Sequence, residues 1–380
     1  MATPLETELR QQIADQGAIS FRAVMQAALY HPRYGYYTNL RGFGPNGDFI
    51  TSPERHPAFG WLLGRQALEV WEALDRPRPF RILELGAGSG ALAEALMGFL
   101  RSEGVTDVVY TLDEVSPALR EVQQLRLTAP AFRWEGAEEP ANFILANEVA
   151  DALPVHRAIM RSGHLHELLV GPDLTWVEAD QPHTGLDAYF QALHVLPNEG
   201  EVMDICLELE DWVRGISRRL ERGMALVIDY TASPPRDSLQ TYYRHTLGTD
   251  PFVRLGEQDI SARVDLRTLV RFGIAEGLKV GAVAQRGLLY NLGWPQVQAR
   301  LTGMTDREAL GHLVDMNAAG GQIVAVFLLR GMPEGYKPAG AVGREWPEPE
   351  HVPWLPPNAD EADFLGQWQE AFGGENSDVS

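Results

Sequence analysis

A chain of 380 residues, 45% hydrophobic and 9% aromatic, can bury one elaborated core or two unequal ones but is short for three domains. Its formal charge of −20 opposes binding of nucleic-acid phosphates, and its single cysteine, Cys206, excludes an internal disulfide framework or a thiolate metal cluster. No apolar run of membrane-spanning length and no leader pattern is present, so a soluble cytoplasmic protein is expected, or a matrix protein if the source has mitochondria.

In chain order, Ser20 reads as the N-cap of a helix over "FRAVMQAALY", which must stop before Pro32. A Gly- and aromatic-rich stretch follows, "YGYYTNLRGFGPNGDFITSPE" (34–54), and loops of this length usually carry function. A second helix is predicted from Ala58 to Leu74, ended by Pro77 and Pro79. Residues 1–79 thus form a helical N-terminal extension holding a Gly-rich lid loop.

From residue 80 the pattern alternates. Strands are predicted at "FRILEL" (80–85), "DVVYTLDE" (107–114), "FRWEG", "NFILANE" (142–148) and "MALVIDY" (224–230), with helices "ALAEALMGFL" and "PALREVQQLRL" between the first three. A long amphipathic helix, "ICLELEDWVRGISRRLER", is expected to end on Gly223 as its C′ residue. "LKVGAVAQRGLLYNLG" and "GGQIVAVFLLRG" offer two further strands. The order implies an α/β fold, a Rossmann-like parallel sheet over about 80–330. Residues 155–200 break the alternation. With Ser162-Gly163 as the turn, they read as a β-hairpin inserted on the substrate side. Residues 331–380, rich in Pro, Gly and acids, read as a loosely packed tail.

Ligands of such sheets bind outside the carboxyl ends of the strands. Four predicted ends carry acids or amides: Glu84, Asp113-Glu114, Asn147-Glu148 and Asp229. After Glu84 come Gly86, Gly88 and Gly90, which let a ligand approach the backbone at a helix start. The glycines alone fit a dinucleotide equally well. Glu84 would repel a pyrophosphate and attract an ammonium, and Glu114, 24 residues beyond Gly90, sits near the spacing of a ribose-binding acid. The combination points to S-adenosyl-L-methionine, leaving S-adenosyl-L-homocysteine as product. Asn147, Glu148 and Asp151 then place an amide and two carboxylates where the methyl emerges, a set suited to orienting a guanidinium. The histidines show no HExxH spacing, and no metal is expected.

The motifs "YHPRYGYYTNLRGFGPNGDFITSPE", "LELGAGSGAL", "EVSPALREVQ", "ANEVADALPVH", "LVIDY" and "DISARVDLRTL", in that order, resemble the MidA-type class I methyltransferases, which include a mitochondrial complex I assembly factor that methylates a protein arginine. The resemblance covers roughly residues 20–330. It implies S-adenosyl-L-methionine as donor, a cofactor site at Glu84, Gly86, Gly88, Gly90, Glu114, Ser116 and Asn147, and a reaction centre at Asn147, Glu148 and Asp151. It also implies that Gly47, Asp48, Phe49, Thr51 and Ser52 lie over the cofactor. The partner it implies is a protein with an accessible arginine, such as a respiratory-complex subunit, and a homodimer is compatible with the core. Three positions depart from the family pattern: Arg55-His56, Thr231 and Arg263-Val264-Asp265-Leu266. They bear on the substrate groove. Methylation of a small molecule and a binding-only assembly role remain the rival readings.

Overall fold

The computed structural model describes residues 2–39, 50–193, 196–300 and 304–342. Its centre is a twisted sheet of strands β1 (Phe80–Leu85), β2 (Val108–Asp113), β3 (Phe132–Arg133), β4 (Ala141–Asn147), β5 (Leu220–Ala232), β6 (Lys279–Ala284) and β7 (Ile323–Arg330). The spatial order is β3-β2-β1-β4-β5-β7-β6. The first five strands pair in parallel, and β7 runs antiparallel to both β5 and β6. The order reverses between β1 and β4, so the loops leaving these strands diverge and open a crevice.

Alternation along each strand feeds two apolar layers. Ile82, Phe143, Leu145, Met224 and Leu226 point into the layer of α3 (Ala58–Ala73) and α4 (Ala91–Ser102). Leu83, Ile144, Ala225 and Val227 point into the layer of α6 (Leu209–Arg219) and α7 (Leu266–Ala275). Helix α5 (Pro117–Arg126) begins on Ser116, whose hydroxyl accepts from Leu119 N–H. Helices α1 (Pro4–Gln16) and α2 (Phe21–Tyr30) make a third cluster with Val170, Leu174, Leu255 and Ile260, and Ser20 caps α2 as expected.

The inserted hairpin is present, His156–Arg161 against His164–Val170, with Ser162 at φ 50° and Gly163 at φ 84° in its turn. It is the middle of a larger antiparallel sheet. Ile19–Ser20, Trp176–Pro182 and Val202–Ile205 join it, strands too short or too irregular to signal themselves by alternation.

The long helix predicted from Ile205 to Gly223 is corrected at both ends. Ile205 closes a strand, the helix spans Leu209–Arg219, and Gly223 lies inside β5. Gly223 serves a β-bulge between Leu220 and Met224: at φ 148°, a Cβ on it would stand 1.8 Å from the Asn142 carbonyl oxygen. The start of the C-terminal segment is also packed, since Gly340 N–H donates to Gln66 Oε1 at 2.9 Å and Ala339 N–H to Glu69. Residues 343–380, the rest of the predicted tail, lie outside the described residues. No helix among the described residues is long and apolar enough to cross a membrane.

Candidate active site

At the end of β1 the backbone turns through Gly86, Gly88 and Gly90, with φ of 61°, 55° and 81°. A Cβ on Gly86 would meet Val149 at 2.7 Å, so the turn and the β4 loop are packed glycine to valine. Gly88 N–H donates to Glu114 Oε2 at 2.9 Å, and Ser116 N–H to Glu114 Oε1 at 2.9 Å. Each oxygen retains a lone pair for a further donor. Glu84 is 3% exposed and accepts from the Tyr110 hydroxyl at 2.6 Å. Burial, reinforced by the charge of Glu114 and opposed by Tyr110, pushes the Glu84 carboxyl up to about 8. Burial also raises Glu114, against the pull of its N–H donors.

Glu84, Gly86, Gly88, Glu114 and Val149 line a cavity of about 430 Å³ together with Thr51, Asp113, Val115, Asn147, Glu148 and Leu153. Helix α6 contributes Trp212 and Arg219, the latter 3.3 Å from Asp113. Among the predicted cofactor residues, Gly90, Ser116 and Ser52 stand behind this wall. Gly90 starts α4, Ser116 caps α5, and Ser52 N–H donates to Glu148 Oε1 at 2.9 Å. Gly47, Asp48 and Phe49 lie outside the described residues. Residues just before α3 are tied to the glycine turn through Glu54, which accepts from Ser89 Oγ and lies 3.8 Å from Arg126.

The end of β4 holds the second part of the site. Glu148 has φ 54°, left-handed for a non-glycine residue, and its N–H donates to Ile228 O at 2.8 Å. Its Oε1 also accepts from Asn147 Nδ2 at 3.1 Å, while Asn147 Oδ1 is buried without a hydrogen-bond partner. The turn that follows is pinned by Asp229, a residue singled out in the sequence only as a strand-end acid. Asp229 Oδ2 accepts from Val149 N–H at 3.0 Å and Ala150 N–H at 2.7 Å, and Oδ1 from Tyr230 N–H at 2.8 Å. Burial pushes Asp229 up to about 7 despite these donors.

Glu148 also borders a second cavity, of about 390 Å³, and Tyr37 likewise lines both. The second cavity brings Asp151 together with Arg55, Tyr230, Tyr242, Asp259 and Arg263. Asp259 accepts from the Tyr37 hydroxyl at 2.8 Å. Asp151 is raised well above the ordinary carboxylate range, first by burial and then by Asp229, Asp259 and Glu148. Glu148 is raised by burial, with Ser52, Asn147 and Arg55 opposing. Such a site holds carboxyls short of a cation, and a guanidinium arriving there would restore their charge.

One group of metal-ligand type occurs among the described residues, His156, Glu167 and His183, with candidate ligand atoms within 4.8 Å of one another. Hydrogen bonds already engage it. His156 Nδ1 meets Glu167 Oε1 at 2.7 Å, and His183 Nδ1 accepts from Leu186 N–H at 3.2 Å, which puts the proton of a neutral His183 on Nε2.

The first cavity fits a ligand with an ammonium, a ribose and an adenine. Its wall offers a buried carboxyl at Glu84, an acceptor without a hydrogen-bond partner at Asn147 Oδ1, free lone pairs at Glu114, and apolar surface at Val115, Leu119 and Leu153. Residues 62–283 match the Methyltransf_28 family of S-adenosyl-L-methionine-dependent methyltransferases. The chain is 31% identical over 309 residues to the mitochondrial protein arginine methyltransferase NDUFAF7 homolog of Drosophila melanogaster, covering 70% of this chain and 69% of the relative. It is 28% identical to the human mitochondrial protein arginine methyltransferase NDUFAF7, over 80% and 76% of the two chains. Among solved structures, a COG1565 superfamily member from Burkholderia thailandensis bound to S-adenosyl-homocysteine superposes with a TM-score of 0.80 at 29% identity, over 89% of this chain and 95% of that one.

Proposed function

The chain belongs to the Methyltransf_28 family of S-adenosyl-L-methionine-dependent methyltransferases, and from that premise we propose that its methyl acceptor is an arginine side chain of a protein. S-adenosyl-L-methionine supplies an electrophilic methyl on a cationic sulfur. In this reading Glu84, Glu114 and Asn147 hold the donor, with the turn at Gly86, Gly88 and Gly90 beneath it. Glu148 and Asp151 bind and align the guanidinium, so that catalysis is mostly positioning, and one of them takes up the proton the guanidinium gives up. Asp229 keeps both acids in place through the backbone of residues 149–151.

The observation that carries the reading is the pair of cavities meeting at Glu148, the second holding Glu148, Asp151 and Asp259 around polar walls. An apolar small molecule would leave these acids unpaired in a buried site. The names of the NDUFAF7 relatives point the same way. The proposal extends, on the family resemblance, to a respiratory-complex subunit as the protein, a homodimer as the assembly, and the cytoplasm or mitochondrial matrix as the compartment.

The test is to incubate the purified chain with methyl-tritiated S-adenosyl-L-methionine and protein extract from cells lacking the chain, then hydrolyse the labelled protein. Tritium in methylarginine is expected. Label confined to small molecules, or to another amino acid, would overturn the arginine reading.

A further inference from the structure

We propose that the second cavity contains a subsite for a carboxylate of the protein substrate, formed by Arg55 and Arg263, so that the segment it selects carries an acidic side chain close to the methylated arginine. This rests on the arginine reading of the site. Both guanidinium side chains are half-buried in the cavity wall. Each leaves the backbone next to an anchor of the reaction-centre acids. Arg55 lies three residues after Ser52, whose N–H holds Glu148, and Arg263 follows Ala262, whose N–H donates to Asp151 O at 2.9 Å.

Neutralising those acids is not what the two arginines do. Neither forms an ion pair among the described residues. Arg263 donates only to uncharged oxygens, Thr231 O at 3.4 Å and Gln322 Oε1 at 3.4 Å. Arg55 contributes a long-range field at Glu148 but no hydrogen bond to it. A volume of 390 Å³ corresponds to a space roughly 9 Å across, close to the Debye length of about 8 Å at physiological salt, so a carboxylate entering it comes within the field of both cations. Two histidines, His245 and His312, also line the wall, and burial and Arg55 lower His312. An extended peptide advances about 3.3 Å per residue, which puts the matching acid within about three positions of the target arginine. A guanidinium paired with a planar carboxylate is the natural contact.

The alternative is that Arg263 only ties the end of β5 to Gln322, and peptide binding separates the two. Fluorescein-labelled peptides with a central arginine and one Glu, Gln or Lys at each of the three positions on either side are titrated, by fluorescence polarisation, against the full chain saturated with S-adenosylhomocysteine. At one or more positions the Glu peptide should bind about tenfold more tightly than its Lys counterpart, with Gln between. The order should invert in Arg263→Glu or Arg55→Glu, with S-adenosylhomocysteine affinity kept within about twofold as the sign of an intact fold. Equal binding of Glu and Lys peptides at every position, no binding by either, or an unchanged preference in both variants overturns the subsite. Peptides with citrulline in place of arginine distinguish this failure from that of the underlying reading. A Glu preference that survives citrulline leaves the subsite standing and removes arginine as the acceptor, whereas loss of binding with citrulline supports both.

Discussion

Binding of S-adenosylhomocysteine should tighten as the pH rises toward 8, and Glu84 supplies the reason. Burial pushes this carboxyl up to about 8, so in the free protein near neutral pH it is mostly protonated while one of its oxygens accepts from the Tyr110 hydroxyl. A ligand ammonium favours the carboxylate, so binding must expel the proton. A group with a pKa of about 8 is about nine-tenths protonated at pH 7, which gives ~0.9 proton released per ligand there, a fall in Kd of about ninefold from pH 6 to pH 7 and about fivefold from pH 7 to pH 8. Folding carries the opposite sign, because it takes up the proton that binding expels. The folded value lies above the ordinary 4.5, so the stability this group contributes is fully present below that value and is lost as the pH rises through about 8. The ligand offsets that loss and should raise Tm more at the alkaline end. Glu84→Gln keeps an oxygen for Tyr110 and removes the charge, weakening binding by about 2 kcal/mol, or roughly thirtyfold, and abolishing the proton release. Calorimetric titration in two buffers of different ionisation enthalpy measures both quantities. A Kd independent of pH with no proton exchange, or an unchanged Kd in Glu84→Gln, would refute the assignment of the ammonium to this residue.

Other parts of the site give equally direct expectations. Glu148→Gln retains an acceptor for Ser52 N–H and Asn147 Nδ2, so kcat should drop about 10²- to 10³-fold while S-adenosylhomocysteine affinity stays within about twofold; steady-state kinetics with unchanged kcat would remove Glu148 from the reaction centre. Asp229→Asn cannot accept from Val149, Ala150 and Tyr230 at once and places an amide N–H against one of them, which should cost about 2–4 kcal/mol in urea unfolding and lower kcat as residues 148–151 lose their anchor. Gly223→Ala drives a methyl into the Asn142 carbonyl, so the β-bulge must open, with an expected loss of about 3 kcal/mol or more; a variant as stable as the parent would show that β4 and β5 pair without the close approach.

What the sequence revealed and what it concealed divide along physical lines. Strands β1, β2, β4 and β5 were readable because each carries a short apolar run with an acid or amide near its carboxyl end, and the sheet then carries Glu84, Glu114, Asn147 and Glu148 to one edge by geometry alone. The helix predicted through Ile205 failed because Ile205 and Leu209 keep helical spacing although one is buried in a strand and the other in a helix. The place of Asp259 in the second cavity was out of reach for a different reason. Asp259 lies more than 100 residues beyond Glu148 and shares no run or spacing with it, and Arg263 was marked for the substrate groove only by its departure from the family pattern; the pairing of Asp259–Ser261 with Gln240–Tyr243 and the bond from Ala262 to Asp151 bring both there.

The backbone of Glu148 explains why one residue can face both cavities. A strand that continued past Asn147 would send successive side chains to opposite faces of the sheet, and an acid there would serve one layer only. With φ at 54° the chain leaves the strand direction, which costs of order 1–2 kcal/mol for a residue with a Cβ. The neighbours hold it: Glu148 N–H on Ile228 O, the next two N–H groups on Asp229, and the side chain under Ser52 and Asn147. Strain kept in place by four independent hydrogen-bond partners is expected where position matters more than stability. Ser52, which holds Glu148, lies two residues before Glu54, which accepts from Ser89 Oγ, so the acid at the mouth of both cavities is held from the same short segment that is bonded to the glycine turn.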